Sequence, residues 1–494
     1  MKKSIKRIIV LFLCTAMLFS VIACAADPDD SGTQTPQQPA PQAPDSGTDT
    51  GTGGTEPDTP QANLSKAPED MTAEDWETLR LEHRTLNLNL FKALFSDELW
   101  DWILADFQEL HPNWTIIDER FDVFEATVLQ AELLMGTPRT FSVSNWEFTG
   151  HRQLAEGVLL PVDPILNSPA FDDPGLTVRD TIHPGTPMTI MNGENYSVPY
   201  RFSADGFWYN VDMFEEHGWE EPQTWNEFLE LSNKIQEAGI VPLMFTATFA
   251  PYPFTMLMYP RGAVLGGYDW AIALRNLDYD AWNSATTRRM VEDFVSLREH
   301  GVFNDDVLGT DYLMAQQLFF EGQAAMVLSG TWLEVEMMEV IPEGFRFAFM
   351  PAPVKQNRSD PAFVVSSPMG WGLYRNSGQE LEGMQFIRYA VSERVLTKYA
   401  EIDGHSTLFS TQVDLSRADL SPAAWTIYHT MNRPDIVSIP NDLISLASGP
   451  YFDFCNGVVG ILAGNETLDN LIPTAANAMR EARNDPDFVF VEQE

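Results

Sequence analysis

The chain has 494 residues, with 71 Asp and Glu against 30 Lys and Arg, giving a formal net charge of −41. Such acidity leaves no basic stripe to neutralise phosphates and excludes a nucleic-acid partner, while 44% hydrophobic and 12% aromatic residues exclude an acidic disordered chain. The length exceeds what one core usually supports, so two or more domains are expected.

Lys2, Lys3, Lys6 and Arg7 precede an apolar run over 8–23, broken only by Thr15 and Ser20. The run is short for a membrane-spanning helix and suits a signal-peptide core. It ends in Val21-Ile22-Ala23-Cys24, which resembles a bacterial lipobox. The expectation is a lipoprotein signal peptide over 1–23, with Cys24 lipidated and anchoring the chain to the extracytoplasmic face of the cell membrane. Cys14 would leave with the signal, and Cys455 then has no disulfide partner and reads as a buried thiol. Residues 24–66 are rich in Pro, Gly, Thr, Gln and Asp, and no aromatic occurs between Phe19 and Trp76. That segment cannot bury a core and is expected to be a disordered linker. The folded body is 67–494.

Within the body, strand-like runs alternate with capped amphipathic helices, the α/β pattern. Thr85-Leu86-Asn87-Leu88-Asn89-Leu90 alternates with period two, as a first strand does. Ser96 then caps a helix with Leu99, Trp102, Ile103, Phe107 and Leu110 on one face, closed by His111-Pro112. Thr224-Trp225-Asn226-Glu227 is a capping box whose helix stops at Gly239 and leads into Ile240-Val241-Pro242-Leu243. Residues 238–260 carry no charge, but Pro242, Pro251, Pro253 and Pro260 argue against a spanning helix. A buried strand entering a proline-rich aromatic loop is expected instead. A helix follows near 284–300. Thr331-Trp332-Leu333-Glu334 is a further expected capping box, after the strand-like 324–328.

Catalytic signatures are scarce. There is no H-E-x-x-H, no G-x-S-x-G serine in the body and no phosphate-cradling glycine loop. Asn304-Asp305-Asp306 with Asp311 lacks the spacing of an EF-hand and reads as a solvated loop, so no metal site is assigned. Paired carboxylates of a glycosidase are not excluded by inspection, because acids are too numerous. Aromatics at element ends are more informative. Trp146 follows a strand-like run, Trp332 opens a helix, Trp371 lies between Gly370 and Gly372, and Tyr451-Phe452 follow Ser448-Gly449-Pro450. Element ends are where α/β sheets open into clefts, and an aromatic face there stacks on a pyranose. For each of them a core position is an equal alternative.

Val198-Pro199-Tyr200, then Gly206-Phe207-Trp208-Tyr209-Asn210-Val211-Asp212-Met213-Phe214, Pro222-Gln223-Thr224-Trp225, and Phe320-Glu321-Gly322-Gln323-Ala324-Ala325-Met326 through Ser329-Gly330-Thr331-Trp332 occur in this order. Together they resemble the extracellular solute-binding protein family 1 of bacterial sugar ABC transporters, over nearly the whole body. Pro138-Arg139-Thr140 departs from the Pro-Asp-Val of many members. The resemblance implies an α/β, two-lobe periplasmic-binding-protein-like fold, with a ligand cleft between the lobes and a multi-segment hinge. Lobe 1 would comprise about 84–199 and 362–405, and lobe 2 about 206–355 and 412–494. Crossings would fall near 200–205, 353–363 and 404–409. Trp146, Tyr252, Trp332, Tyr451 and Phe452 match cleft-lining positions. Arg201, Asp205, Trp371 and His405 sit at or beside crossings, and Arg201 with Asp205 would either meet ligand or form an internal ion pair. The implied work is binding without catalysis or cofactor. A carbohydrate, with a neutral oligosaccharide favoured by the negative field, would be captured by lobe closure and delivered to a membrane permease. The alternatives are a lipid-anchored cell-surface glycoside hydrolase and a non-transport carbohydrate-binding adhesin.

Overall fold

A computed structural model describes residues 66–91, 97–121, 143–144, 159–183, 186, 188, 190–191, 193–440 and 448–485. All of these belong to one compact unit, Thr59–Glu494. The signal, lipidation and linker expectations, Cys24 included, fall outside the described residues, as does Trp146.

The alternating run becomes β1 (Arg84–Phe91), which pairs in parallel with β2 (Trp114–Phe121) and with β3 (Val143–Ser144). Leu86, Leu88 and Leu90 are fully buried on one face of β1. The helix Asp97–Leu110 buries Leu99, Trp100, Ile103 and Phe107. Trp100 thus occupies the core place expected for Trp102, which is half-buried with the Lys398 ammonium near its ring.

Two strands of 13 residues organise the rest. They are β7 (Val198–Asn210) and β11 (Ala362–Tyr374), counting β4 as Leu159–Leu160, β5 as Ile190–Met191 and β6 as Glu194–Asn195. They pair antiparallel from Ser366↔Ala204 to Trp371↔Val198, with a register shift between Met369 and Gly370. Toward one end β11 pairs with β3 and β4; toward the other, β7 pairs with β9 (Ala324–Gly330) and β10 (Phe347–Met350). The strand β8 (Val241–Met244) lies parallel to β9, and β12 (Ile436–Pro440) parallel to β11. The sheet path is β2-β1-β3-β11-β7-β9-β8.

Hydrophobic cores change along these strands. Val198, Tyr200, Trp371 and Leu373 join a core with Leu86, Leu99, Phe107, Phe386 and Tyr399. Phe207 and Val365 join a different core with Phe228, Phe254, Trp282, Phe294 and Phe454, and Trp208 and Val364 a third with Phe319, Phe347 and Phe349. Along β11 the change therefore falls between Val365 and Trp371, later than the expected 353–363. The reason is that 362–366 pairs with β12 and packs with the second group of cores. Beside β7 runs a further segment: the Phe202 N–H donates to Leu408 O at 2.9 Å and the Ser410 N–H to Tyr200 O at 3.0 Å.

The Thr224 capping box forms, opening the helix Trp225–Glu237 with Trp225, Phe228, Leu231 and Ile235 buried. After β8 the expected proline-rich loop is helical over Pro251–Gly266, with a wide π turn at Phe254–Met258. Pro251 and Pro253 sit in a first turn, whose N–H groups have no intrahelical acceptor. The wide turn ends just before Pro260, which has no N–H to continue the ladder. No helix among the described residues is long and apolar enough to cross a membrane.

Candidate functional site

Alternation along β7 puts Arg201, Ser203, Asp205 and Phe207 on one face and Phe202, Ala204 and Trp208 on the other. The first face meets the end of β9, where Gly330-Thr331-Trp332 turns into the short helix Leu333–Met337. Gly330 is required there. A Cβ on it would lie 2.1 Å from the Trp332 ring, so the indole rests directly on the glycine backbone. Thr331 does not cap the helix as expected: its N–H donates to Ala204 O at 2.9 Å and its hydroxyl accepts from the Ala204 N–H at 3.2 Å. These bonds pin the Trp332 corner to β7.

From Trp332 an aromatic wall extends across this side of the fold. The Trp332 and Tyr252 centroids are 6.2 Å apart, Tyr252 and Tyr312 5.8 Å, Phe249 and Tyr252 5.0 Å, and Phe249 and Phe452 6.4 Å. Each of these five residues is half-buried. The wall comes from four places: the loop and helix start after β8, the first turn of the helix Tyr312–Phe320, the Trp332 corner after β9, and the helix Ser448–Leu462. Phe249 and Tyr312 were not anticipated. Their signal was position alone, at the end of a strand and directly after the capping Asp311.

Polar groups approach the wall along β7. A small cavity of ≈ 80 Å³ is bounded by Arg201, Ser203, Trp332, Met369, His405 and Ser406. The Arg201 guanidinium donates to the Tyr399 hydroxyl and, at 3.0 Å, to Ser406 Oγ. Asp205 is 8% exposed, and burial pushes its carboxyl up to about 7, against a smaller lowering by the nearby Thr255 hydroxyl, which itself donates to Tyr252 O at 3.4 Å. Four residues of strand separate Arg201 and Asp205 by ~13 Å, and their side chains have different partners, so the expected alternative of an ion pair between them is not formed. His405 Nδ1 lies 3.1 Å from Glu334 Oε2, which also accepts from Ser421 Oγ at 2.6 Å. The carboxylate raises the His405 imidazole above its ordinary value, against burial.

Two expected residues lie elsewhere. Trp371 is 2% exposed and packs edge-on against Trp100 and Phe386, at 5.9 and 5.4 Å, in the core that includes Tyr200. Gly370 before it serves close packing of strands, since a Cβ there would lie 2.8 Å from Ser197 Oγ. Tyr451 is fully buried, edge-on to Phe254 at 5.3 Å, and lies beneath the wall that Phe452 helps to form. The structure therefore brings together Arg201, Asp205, Tyr252, Trp332, His405 and Phe452.

Among the described residues no three His, Cys, Asp or Glu side chains are grouped to hold a metal ion. In the acidic loop, Asn304 accepts the Phe245 N–H and donates to Thr310, and Asp311 caps a helix. A larger groove of ≈ 1130 Å³ opens past Phe202, on the other face of β7. Its described lining residues include no series of rings in mutual contact, and the aromatic side is the better candidate for a ligand with flat apolar faces.

A family model described as bacterial extracellular solute-binding protein matches residues 91–396. The chain is 26% identical over 181 residues to the diacetylchitobiose binding protein NgcE of Streptomyces coelicolor, covering 36% of this chain and 38% of the relative. It is 24% identical over 220 residues to the multiple sugar-binding protein of Streptococcus mutans, covering 43% and 51%. The chain thus spans about half or less of the length of these curated relatives. A solved structure of a chitin oligosaccharide binding protein superposes with a TM-score of 0.65 at 18% identity, over 81% of this chain and 99% of that one. At that identity the superposition speaks for the two-lobe fold.

Proposed function

Since the chain belongs to the bacterial extracellular solute-binding proteins, we propose that it captures a carbohydrate by lobe closure and hands it to the permease of an ABC transporter. The observation that carries this reading is the aromatic wall of Phe249, Tyr252, Tyr312, Trp332 and Phe452, set beside the polar β7 face. Aromatic faces pack on the C–H faces of sugar rings while a few polar groups bond the hydroxyls. An acidic surface and a cleft without a free described cation favour a neutral oligosaccharide. The names of two relatives make chitin oligosaccharides the first candidates.

Lobe 1 would carry the core around Phe107 and Trp371, and lobe 2 the cores around Phe254 and Phe319. The hinge would be formed by β7, β11 and the segment beside Arg201. Ligand bridging the lobes shifts the population toward the closed state by its differential affinity for that state. The N-terminal segment would supply a signal peptide and a lipid anchor at Cys24, holding the receptor at the outer face of the membrane. The reading assigns no bond-breaking step to any residue.

A thermal-shift screen of the purified protein against a glycan panel tests the proposal. A ligand at a hundred times its dissociation constant stabilises by about 2.7 kcal/mol, an upward shift in Tm. Trp332→Ala is expected to weaken binding of the glycan ~10-fold, the loss of a stacking face worth about 1.4 kcal/mol. A shift with peptides or amino acids and none with carbohydrate overturns the reading. Hydrolysis of a bound glycan replaces it with a glycosidase.

A further inference from the structure

The groove on the other face of β7 differs in charge from the rest of the molecule. Its volume is ≈ 1130 Å³, and its described lining residues include Arg179, His183 and Arg275 but no Asp or Glu, in a chain with 71 acids. Arg179 is also held by Asp163, at 3.0 Å. The walls come from two cores. Ile182, Met188 and Val413 belong to the partly buried margin of the core that holds Phe107 and Trp371, and Phe202, Met431 and Ile436 to that of the core that holds Phe319. Partly apolar walls whose only charges are cationic suit an occupant that is apolar and acidic.

The chain carries such a segment close by. The last described residue is Asp485, and beyond it Asp487 precedes Phe488-Val489-Phe490-Val491, with Glu492 and Glu494 after them. Four aromatic and β-branched residues in a row favour an extended strand and a covered position, and the flanking acids complement the cations of the groove. The helix Leu468–Arg483 delivers this segment to one end of the groove: Arg483 Nη1 donates to Asp278 Oδ2 at 2.7 Å, three positions after Arg275. Both ends of the helix Tyr268–Arg275 line the groove. Its Tyr268 ring stacks on Phe363 at 6.5 Å, and Phe363 is the β11 partner of Val437 in β12. Among the described residues β12 pairs with no strand but β11. That helix is ~12 Å long, and residues 486–491 span up to ~20 Å when extended. The segment therefore has the reach to pass along the helix to β12.

We propose that residues 486–494 dock in this groove beside β12, with Phe488 and Phe490 against its apolar walls and the acids among its cations. The period of two in an extended segment puts these two phenylalanines on one face. Docked there, a segment that leaves the second group of cores covers the margin of the first, on the side of β7 opposite the aromatic wall. A rotation that narrows the aromatic side widens this one, so the strap restrains closure. That consequence rests on the carbohydrate-receptor reading, whereas the docking does not.

Hydrogen exchange of the full chain, read by mass spectrometry, tests the docking without any glycan. In the double variant Phe488→Asp, Phe490→Asp the amides of 407–413 and 436–439 are expected to exchange at least ~10-fold faster than in the wild-type protein, with the helix Trp225–Glu237 unchanged. The pair Phe488→Leu, Phe490→Leu is expected to keep the protection. Equal exchange in all three proteins overturns the docking. So does protection that rises with protein concentration, which assigns the groove to a second copy, or protection that appears only with added decanoate, which assigns it to an anionic amphiphile. The restraint on closure is read separately, by calorimetric titration with diacetylchitobiose, maltotriose and raffinose in turn. The aspartate double variant is expected to bind the glycan ~3-fold more tightly, because its closed state is more populated. Unchanged or weaker binding overturns the restraint and leaves the receptor reading standing. No binding of any of the three sugars by either protein overturns the restraint together with that reading, and the exchange result stands apart from both.

Discussion

His405 and Asp205 both belong to the candidate site, and each sets its own pH dependence of stability. The folded pKa of His405 is raised above the unfolded 6.5 by Glu334. Its pairing therefore stabilises fully below that value and is lost as pH rises through the folded one. Removing the imidazole by His405→Gln is expected to lower Tm at pH 6, by a pair worth ~1 kcal/mol, and to leave it nearly unchanged at pH 9. An equal loss at both pH values, read by calorimetry, would refute the ionic pairing. Asp205 is a carboxyl raised by burial from 3.8 to about 7. Its ionisation destabilises the unliganded fold, with no penalty below 3.8 and the full penalty above about 7.

The corner Gly330-Thr331-Trp332 is the element on which the site depends, because it joins β9, β7 and the start of the next helix. Its capping-box spacing matches that of Thr224, which does cap. Thr331 instead spends its hydroxyl on the Ala204 N–H, a partner 127 positions away that no local window contains. Gly330→Ala is expected to displace the Trp332 ring, since the new methyl would meet it at 2.1 Å and van der Waals contact begins well beyond that distance. The expected result is a changed tryptophan emission and a glycan affinity at least ~10-fold weaker, at a cost of 1–3 kcal/mol in stability, of the order of overpacking. Unchanged affinity would show that the indole tolerates another position.

Across the molecule, β7 and β11 are continuous strands whose side chains join different cores on either side of their pairing. Hydrogen-bonded strands resist shear but bend and twist, so rotation of the cores about this crossing is the motion the architecture favours. Saturating glycan is expected to reduce the radius of gyration measured by small-angle X-ray scattering, with Trp332→Ala needing at least ~10-fold more glycan for the same reduction. A wild-type profile that is identical with and without bound glycan would refute closure as the response to ligand.

The α/β alternation, the Thr224 capping box, the helix near 284–300 and the ordered motifs around β7 and β9 were legible in the chain, because they rest on local periodicity, capping chemistry and short-range spacing. These sufficed for the fold class and the receptor family. Side-chain destinations were not legible where long-range packing chose between equivalent local options. Trp371 between two glycines and Trp332 after one look alike in sequence. Trp371 meets Trp100 and Phe386 across an interior, while Trp332 lies on a backbone glycine at an open edge. Tyr451 and Phe452 are adjacent, and the helical turn between them sends one inward and the other to the wall. Burial depends on what arrives from distant parts of the chain, and that is a property of the packed molecule.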